Sequence, residues 1–226
     1  MDLPELKIKP REGSYARGQD SIVQILSAAL NLLIEEGYSA LSLRRIAKAC
    51  DMKVGNVTYY FATKDALVRE MLSAAIEGYM SAFEDVISQV DLTPEEKLEA
   101  IIRIILEDIR TKKTTRLFPE LWALANFDPF VAECVNESYV NARRALNVLV
   151  AEINPSLPEE ERETLCLFIS GALEGMTIFA GYQKPWEPKM PWIENIAVRS
   201  LINFVKDAKP EDIHGDEEDP LSRLLS

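Results

Sequence analysis

The sequence predicts an all-α fold of about nine helices, with a three-helix unit ahead of a larger helical body. Three observations lead there. Apolar residues recur at helical spacing along most of the chain. Two short helical segments near residue 50 are separated by a three-residue turn, which is the plan of a helix-turn-helix. No segment alternates apolar and polar residues in a convincing strand pattern.

The first helix carries Ile22, Ile25, Leu26, Ala29, Leu30 and Leu33 on one face. Asp20 or Ser21 can cap its start, and Gly37 can end it. Ser42 can cap the second helix, with Leu43, Ile46 and Ala47 inward and Arg44, Arg45 and Lys48 outward. Asp51, Met52 and Lys53 form the turn, and a very short helix runs from about Val54 to Tyr60. Thr63 then caps a long helix with Leu67, Met71, Ala74, Ala75, Gly78, Ala82, Phe83 and Val86 inward. Thr93-Pro94-Glu95-Glu96 is a strong helix start, because it combines a Thr cap, a proline at the first position and a glutamate at the third. Leu98, Ile102, Ile105 and Ile109 make the stripe that follows. Asp128-Pro129 starts another helix, and a further one spans about Glu159 to Gly181. After a loop with three prolines, the last helix runs from about Trp192 to Lys206. The expected division is a reading unit with an N-terminal arm at 1–66, a helical body at 67–206 and an acidic, mobile tail at 207–226.

Composition excludes several function classes. Hydrophobic residues make up 47% and charged residues 27% of 226, the mix of a soluble globular protein. No apolar run approaches the ~18 residues of a membrane-spanning helix, so no membrane partner is expected. Cys50, Cys134 and Cys166 are far apart and lack metal spacing, which suits buried thiols in a reducing cytoplasm. The only histidine is His214, in the acidic tail, so neither a metal site nor a catalytic triad is expected. With no clustered nucleophile and no glycine-rich phosphate loop, neither an enzyme nor a cofactor is expected. The net charge is −12, but residues 1–70 carry 10 Lys+Arg against 9 Asp+Glu, while the remainder carry 15 against 28. Only the first part can approach a phosphate backbone without strong repulsion.

The stretch VGNVTYYFATKDAL, Val54 to Leu67, sharpens this picture. Together with Ser42, Leu43, Ile46, Ala47 and Ala49, its residues Val54, Gly55, Asn56, Val57, Tyr59, Phe61, Lys64 and Leu67 resemble the TetR family of transcriptional regulators over about residues 20–70. Three positions depart from the family pattern. Asp51 stands where a turn glycine is usual, Thr58 where a tyrosine is common, and Tyr60 where a histidine is common. The resemblance implies a short helix in the DNA major groove, with Lys53, Val54, Gly55 and Asn56 at the end aimed at bases. Asn56 could pair with adenine, Val54 could touch a thymine methyl, and Gly55 lets backbone approach DNA. Tyr59 and Tyr60 would reach phosphates through their hydroxyls. Ser42 and Lys64 would do so at helix N-termini, with Arg44 and Arg45 flanking. Val57 and Phe61 would anchor the reading helix. Lys7, Lys9, Arg11 and Arg17 either form a DNA-reaching arm or belong to a disordered leader.

The resemblance also implies a two-fold dimer through the last two long helices. Gly171, Ala172 and Gly175 put small side chains on one of them, and Ile193, Ala197, Leu201 and Phe204 an apolar face on the other. A ligand cavity is expected among the middle helices, lined by Phe118, Trp122, Phe127, Phe130, Cys134, Tyr139, Phe168 and Met176, with Tyr182 a further candidate. Glu174 lies off the main stripe and is expected to be solvated. The alternative is that it balances a cationic ligand, and Trp122 near a carboxylate would suit an ammonium ion. The expectation is therefore a homodimeric, sequence-specific repressor, released from a palindromic operator by a small molecule. The rival expectation is a helical protein-interaction module whose DNA domain is non-functional.

Overall fold

A computed structural model describes Leu6, Ile8 and residues 16–214. The side chains proposed for the basic arm and the last part of the acidic tail, 215–226, lie outside the described residues. Among the described residues the chain forms α1 (Ala16–Glu36), α2 (Leu43–Ala49), α3 (Val54–Tyr60), α4 (Lys64–Ile87), α5 (Pro94–Ile109), α6 (Lys112–Ala125), α7 (Pro129–Ile153), α8 (Glu159–Glu174), α9 (Met176–Ala180), α10 (Met190–Asp207) and α11 (Pro210–His214). None of these residues forms a strand.

Local chemistry sets most of the boundaries. The side chains of Ser42, Thr63, Thr93, Thr111 and Asp128 each accept a backbone N–H at the start of a helix. Thr93 and Glu96 close a reciprocal capping box. Gly37 ends the first helix with φ 82°, a conformation that favours glycine. Asp51 makes the helix-turn-helix turn at φ 53°, which aspartate tolerates better than most residues.

Three boundaries differ from expectation. The first helix begins at Ala16, ahead of the caps expected at Asp20 or Ser21. The single helix expected from Glu159 to Gly181 is divided at Gly175 into α8 and α9. Part of the tail expected to be mobile is folded, because α11 packs on α8 and His214 Nε2 lies 2.8 Å from Glu161 Oε1. Contrary to the expectation from apolar runs, residues 159–180 are long and apolar enough to cross a membrane. A third of their most apolar stretch is buried within the subunit, while Leu167, Phe168, Ile178 and Phe179 stand exposed on the outer side.

Two cores result. The first joins α1, α2, α3 and the start of α4, and Phe61, Val57 and Ile46 lie fully inside it. It does not stop at residue 66: Leu67, Met71 and Leu72 of α4, Leu117 and Leu121 of α6, and Val131 of α7 belong to it. The second core joins α5, α7, α8 and α10.

Asn154 ties the end of α7 to the chain's last segment. It is buried, and its Nδ2 donates to Val205 O at 3.0 Å and Ala208 O at 2.9 Å. Asn154→Ala leaves both carbonyls short of a donor and should cost about 2 kcal/mol. We expect a melting temperature lower by roughly 4–8 °C in a calorimetric scan.

Candidate DNA-reading surface and effector cavity

The helix-turn-helix presents one continuous exposed edge. Lys53, Val54, Gly55, Asn56, Thr58 and Tyr59 are all exposed on α3 and its cap, while Val57 faces inward. Tyr59 is 83% exposed, an unusual state for a large aromatic, and its ring meets the Tyr60 ring edge-on at 5.1 Å. Thr58 turns its hydroxyl back to Gly55 O at 3.1 Å. A Cβ built at Gly55 would meet nothing within 4 Å, so no contact within the subunit requires glycine there.

The basic residues differ in how far they are already engaged. Arg44, Lys48 and Lys53 are exposed and have no ion-pair partner among the described residues. Arg45 instead pairs with Glu36 at 2.6 Å, tying α2 to the end of α1. Lys64 lies over the Tyr38 ring, 3.9 Å from its centre. Ser42 accepts from Arg45 N, so its hydroxyl already serves as a cap.

Helix α6 connects this unit to the body. Arg116 Nη1 donates to the terminal carbonyls of α1, Ile34 O at 3.2 Å and Glu35 O at 3.3 Å. Lys112 pairs with Glu35, and Glu120 accepts from Tyr38 N at 3.3 Å. Residues 112, 116 and 120 form one edge of α6. Residues 114, 118 and 122 form another, about 200° around the helix, and this second edge faces a cavity and its wall.

That cavity holds about 80 Å³ and is lined chiefly by apolar groups from α4, α5, α6 and α7. Its aromatic wall is Tyr79, Phe118 and Tyr139, with Tyr79 and Phe118 edge-on at 5.4 Å. Trp122 backs this wall by donating Nε1 to Tyr139 Oη at 3.0 Å. Two carboxylates share the lining, Asp108 and Glu174. Asp108 is buried and accepts from the Thr114 hydroxyl, which also lies 3.0 Å from Tyr79 Oη. Burial raises the Asp108 pKa, while the Thr114 and Tyr79 hydroxyls and Lys113 pull it down. Burial also pushes Glu174 up to about 7, and repulsion from Asp108 adds to the shift. The Lys113 ammonium is lowered by burial, partly offset by Asp108.

Several expected lining residues are elsewhere. Phe127 is 90% exposed at the turn before α7, because α6 ends at Ala125 and leaves it outside any packed face. Phe168 is exposed on the outer side of α8, since the register that buries Leu165, Cys166 and Ile169 turns it outward. Phe130 packs against the first core, under the Arg69 guanidinium at 3.2 Å. Cys134 is half-buried and does not line the cavity, and Met176 packs against the second core. The Tyr182 backbone donates to Thr115 Oγ1 at 2.8 Å. Glu174 is not solvated as expected but forms part of the cavity. Tyr79, Asp108 and Thr114 were not anticipated. Asp108 had one legible signal, because it sits three residues after Ile105, in register with the buried stripe of α5.

The expected dimer residues are also redistributed. Gly171 is exposed, with open space where a Cβ would point, and Ala172 and Gly175 are partly exposed. Leu201 is buried in the subunit's own core, and Ile193, Ala197 and Phe204 pack against that core. The exposed apolar residues of α10 are Trp192 and Ile196, each adjacent to an expected position.

Among the described residues, an exposed helix-turn-helix joined through α4 and α6 to a helical body that encloses a cavity has the build of a DNA-binding transcriptional regulator. Comparison with known families agrees. Residues 25–71 match the model for bacterial regulatory proteins of the tetR family. Residues 94–189 match that for the C-terminal part of BetI-type transcriptional repressors. The chain belongs to the TetR family of transcriptional regulators. It is 26% identical over 146 residues to the probable HTH-type transcriptional regulator YttP of Bacillus subtilis, covering 64% of this chain and 67% of that one. Among solved structures, a transcriptional regulator from Rhodococcus sp. Rha1 superposes with TM-score 0.65 at 21% identity, covering 84% of this chain and 100% of that one. A regulator from Saccharomonospora viridis, solved in complex with choline, superposes with TM-score 0.67 at 14% identity, covering 84% and 97%. At these identities the two superpositions speak for the fold.

Two outcomes are expected from this geometry. Gly55→Ala should leave stability unchanged or raise it by about 0.5–1 kcal/mol, since alanine is the better helix former and meets no clash. The same variant should bind DNA more weakly in a mobility-shift titration, because the methyl group faces the reading side. For Glu174, the folded-state pKa lies near 7 against an ordinary value of 4.5. The folded chain therefore binds more protons than the unfolded chain between those values, and stability should fall as pH rises through that window. Glu174→Gln removes the Glu174 share of the fall. We expect its melting temperature to match the parent near pH 4.5 and exceed it by roughly 5 °C at pH 8.

Proposed function

We propose that this regulator is a homodimeric repressor that binds a palindromic operator and is released when a small molecule enters the cavity between α4, α5, α6 and α7. The observation that carries the reading is the double duty of α6. One edge grips the end of α1 through Lys112, Arg116 and Glu120, and the other supports the cavity through Thr114, Phe118 and Trp122. A ligand that prefers one placement of α6 or α4 biases the spacing of the reading helices by its difference in affinity for the two states. The BetI-type match and the choline bound by the Saccharomonospora neighbour support a small-molecule effector.

The dimer is supported by an apolar outer face. Leu167, Phe168, Ile178, Phe179, Trp192 and Ile196 of α8, α9 and α10 are each more than half exposed. A second copy of the chain would cover them, and a two-fold axis there would present two reading helices to two half-sites. Asn56, Tyr59, Tyr60, Lys64, Lys53, Val54, Ser42, Arg44 and Arg45 remain the proposed DNA contacts. Of these, Arg44 and Lys53 are the ready phosphate partners, and Arg45 and Lys64 would exchange their present partners for phosphate.

The test is an anisotropy titration with DNA from upstream of the chain's own gene, between about 50 and 200 mM salt. Affinity should fall steeply with salt, and Arg44→Ala should flatten the log–log slope by about 0.9 for each phosphate it no longer neutralises. Phe168→Glu with Ile196→Glu should sediment as a folded monomer and bind the operator far more weakly. Absence of binding at low salt would favour the protein-interaction module instead.

A further inference from the structure

Two features of the cavity have no explanation within the subunit. Asp108 is 5% exposed, and its Oδ1 is shut off from solvent without a hydrogen-bond partner, although Oδ2 accepts from Thr114. A buried carboxylate oxygen left unpaired is destabilising, and native proteins seldom keep one without a use. Beside it on the cavity wall stands Glu174, which also has no hydrogen-bond partner among the described residues. Burial and mutual repulsion disfavour ionising both. Lys113 offsets part of the Asp108 charge but does not line the cavity. Apart from the Thr114 and Ser138 hydroxyls the rest of the lining is apolar or aromatic, so no cationic side chain of the lining neutralises the pair.

We propose that the cavity binds a compact organic cation that retains N–H donors, a protonated amine on an apolar body, seated between the Asp108 and Glu174 carboxylates against the rings of Tyr79, Phe118 and Tyr139. The proposal rests on the cavity being the effector site and specifies what that site selects. The rings supply cation–π attraction to any ammonium ion. The carboxylates need more than charge, because Asp108 Oδ1 and the Glu174 carboxylate have no donor among the described residues. A protonated amine donates N–H to them in a charge-assisted bond. A quaternary ammonium ion has no N–H and would leave Asp108 Oδ1 unpaired in a dry site. A neutral alcohol of the same skeleton would leave the repulsion between the carboxylates in place.

The full-length chain can be titrated calorimetrically, without DNA, with three matched series running from butyl to 2-phenylethyl: primary ammonium ions, trimethylammonium ions and alcohols. We expect the best primary ammonium ion to bind about tenfold more tightly than the alcohol of the same skeleton and more tightly than its trimethylammonium counterpart. Glu174→Gln should sharply reduce the advantage over the alcohol of the same skeleton. Asp108→Asn should reduce it as well, and if that variant fails to fold, Glu174→Gln carries the test. The proposal is overturned if no member of the ammonium series binds, if trimethylammonium or alcohol probes bind as tightly, or if Glu174→Gln keeps the preference. Release of operator DNA is measured separately. A bound amine that leaves the DNA complex intact would sink the release mechanism and not the ligand class, and release by a neutral effector with no amine binding would do the reverse.

Discussion

The last carbonyl groups of α1 have no partners within their own helix, and Arg116 of α6 supplies donors to two of them. This contact ties the reading unit to the helical body. Helix α2 is fastened to the same helix end through Arg45 and Glu36, and α3 is held under α2 by Val57 and Phe61. The orientation of the reading helix is thus referred to the end of α1, and the end of α1 to α6. Since Leu117 and Leu121 of α6 also belong to the first core, the helix cannot shift without disturbing the packing of the reading unit.

On the side of the body, α6 has a different role. Thr114 holds Asp108 and Phe118 stands in the aromatic wall, so the side of α6 opposite Arg116 feels whatever occupies the cavity. The cavity is not a neutral apolar space. Two carboxylates are desolvated there and repel one another, and Glu174 accommodates this by a pKa raised to about 7. Paired or apolar groups in the same place would serve stability better.

The sequence was most informative where one residue type answers one local demand. The caps at Ser42, Thr63 and Thr93, the turn at Asp51, the stop at Gly37 and the short α3 could all be read from neighbouring residues. Anchoring by Phe61 and exposure of Tyr59 were legible for the same reason, since α3 has only seven residues and one inward position. Aromatic lining residues were not legible in this way. Phe118 and Tyr139 lie in the cavity, while Phe127 and Phe168 are exposed and Phe130 serves the other core. An aromatic side chain suits a cavity, a core and an interface equally, so its type cannot say which one it meets. On α10 the apolar stripe is broad enough that its inner residue Leu201 and outer residue Ile196 differ by little more than a turn.

By itself, then, the sequence determined the helical class, the helix-turn-helix with its inward and exposed positions, the placement of the caps and the family resemblance. These depend on spacing of about 3.6 residues per turn and on hydrogen bonds spanning three or four residues. The tertiary structure decided which carboxylates meet, which aromatics enclose space and which helix joins the two halves. Asp108 and Glu174 are 66 positions apart, and Glu35 and Lys112 are 77 apart. No local pattern specifies such meetings, because they arise only when separate apolar faces are buried against one another and carry their polar residues with them.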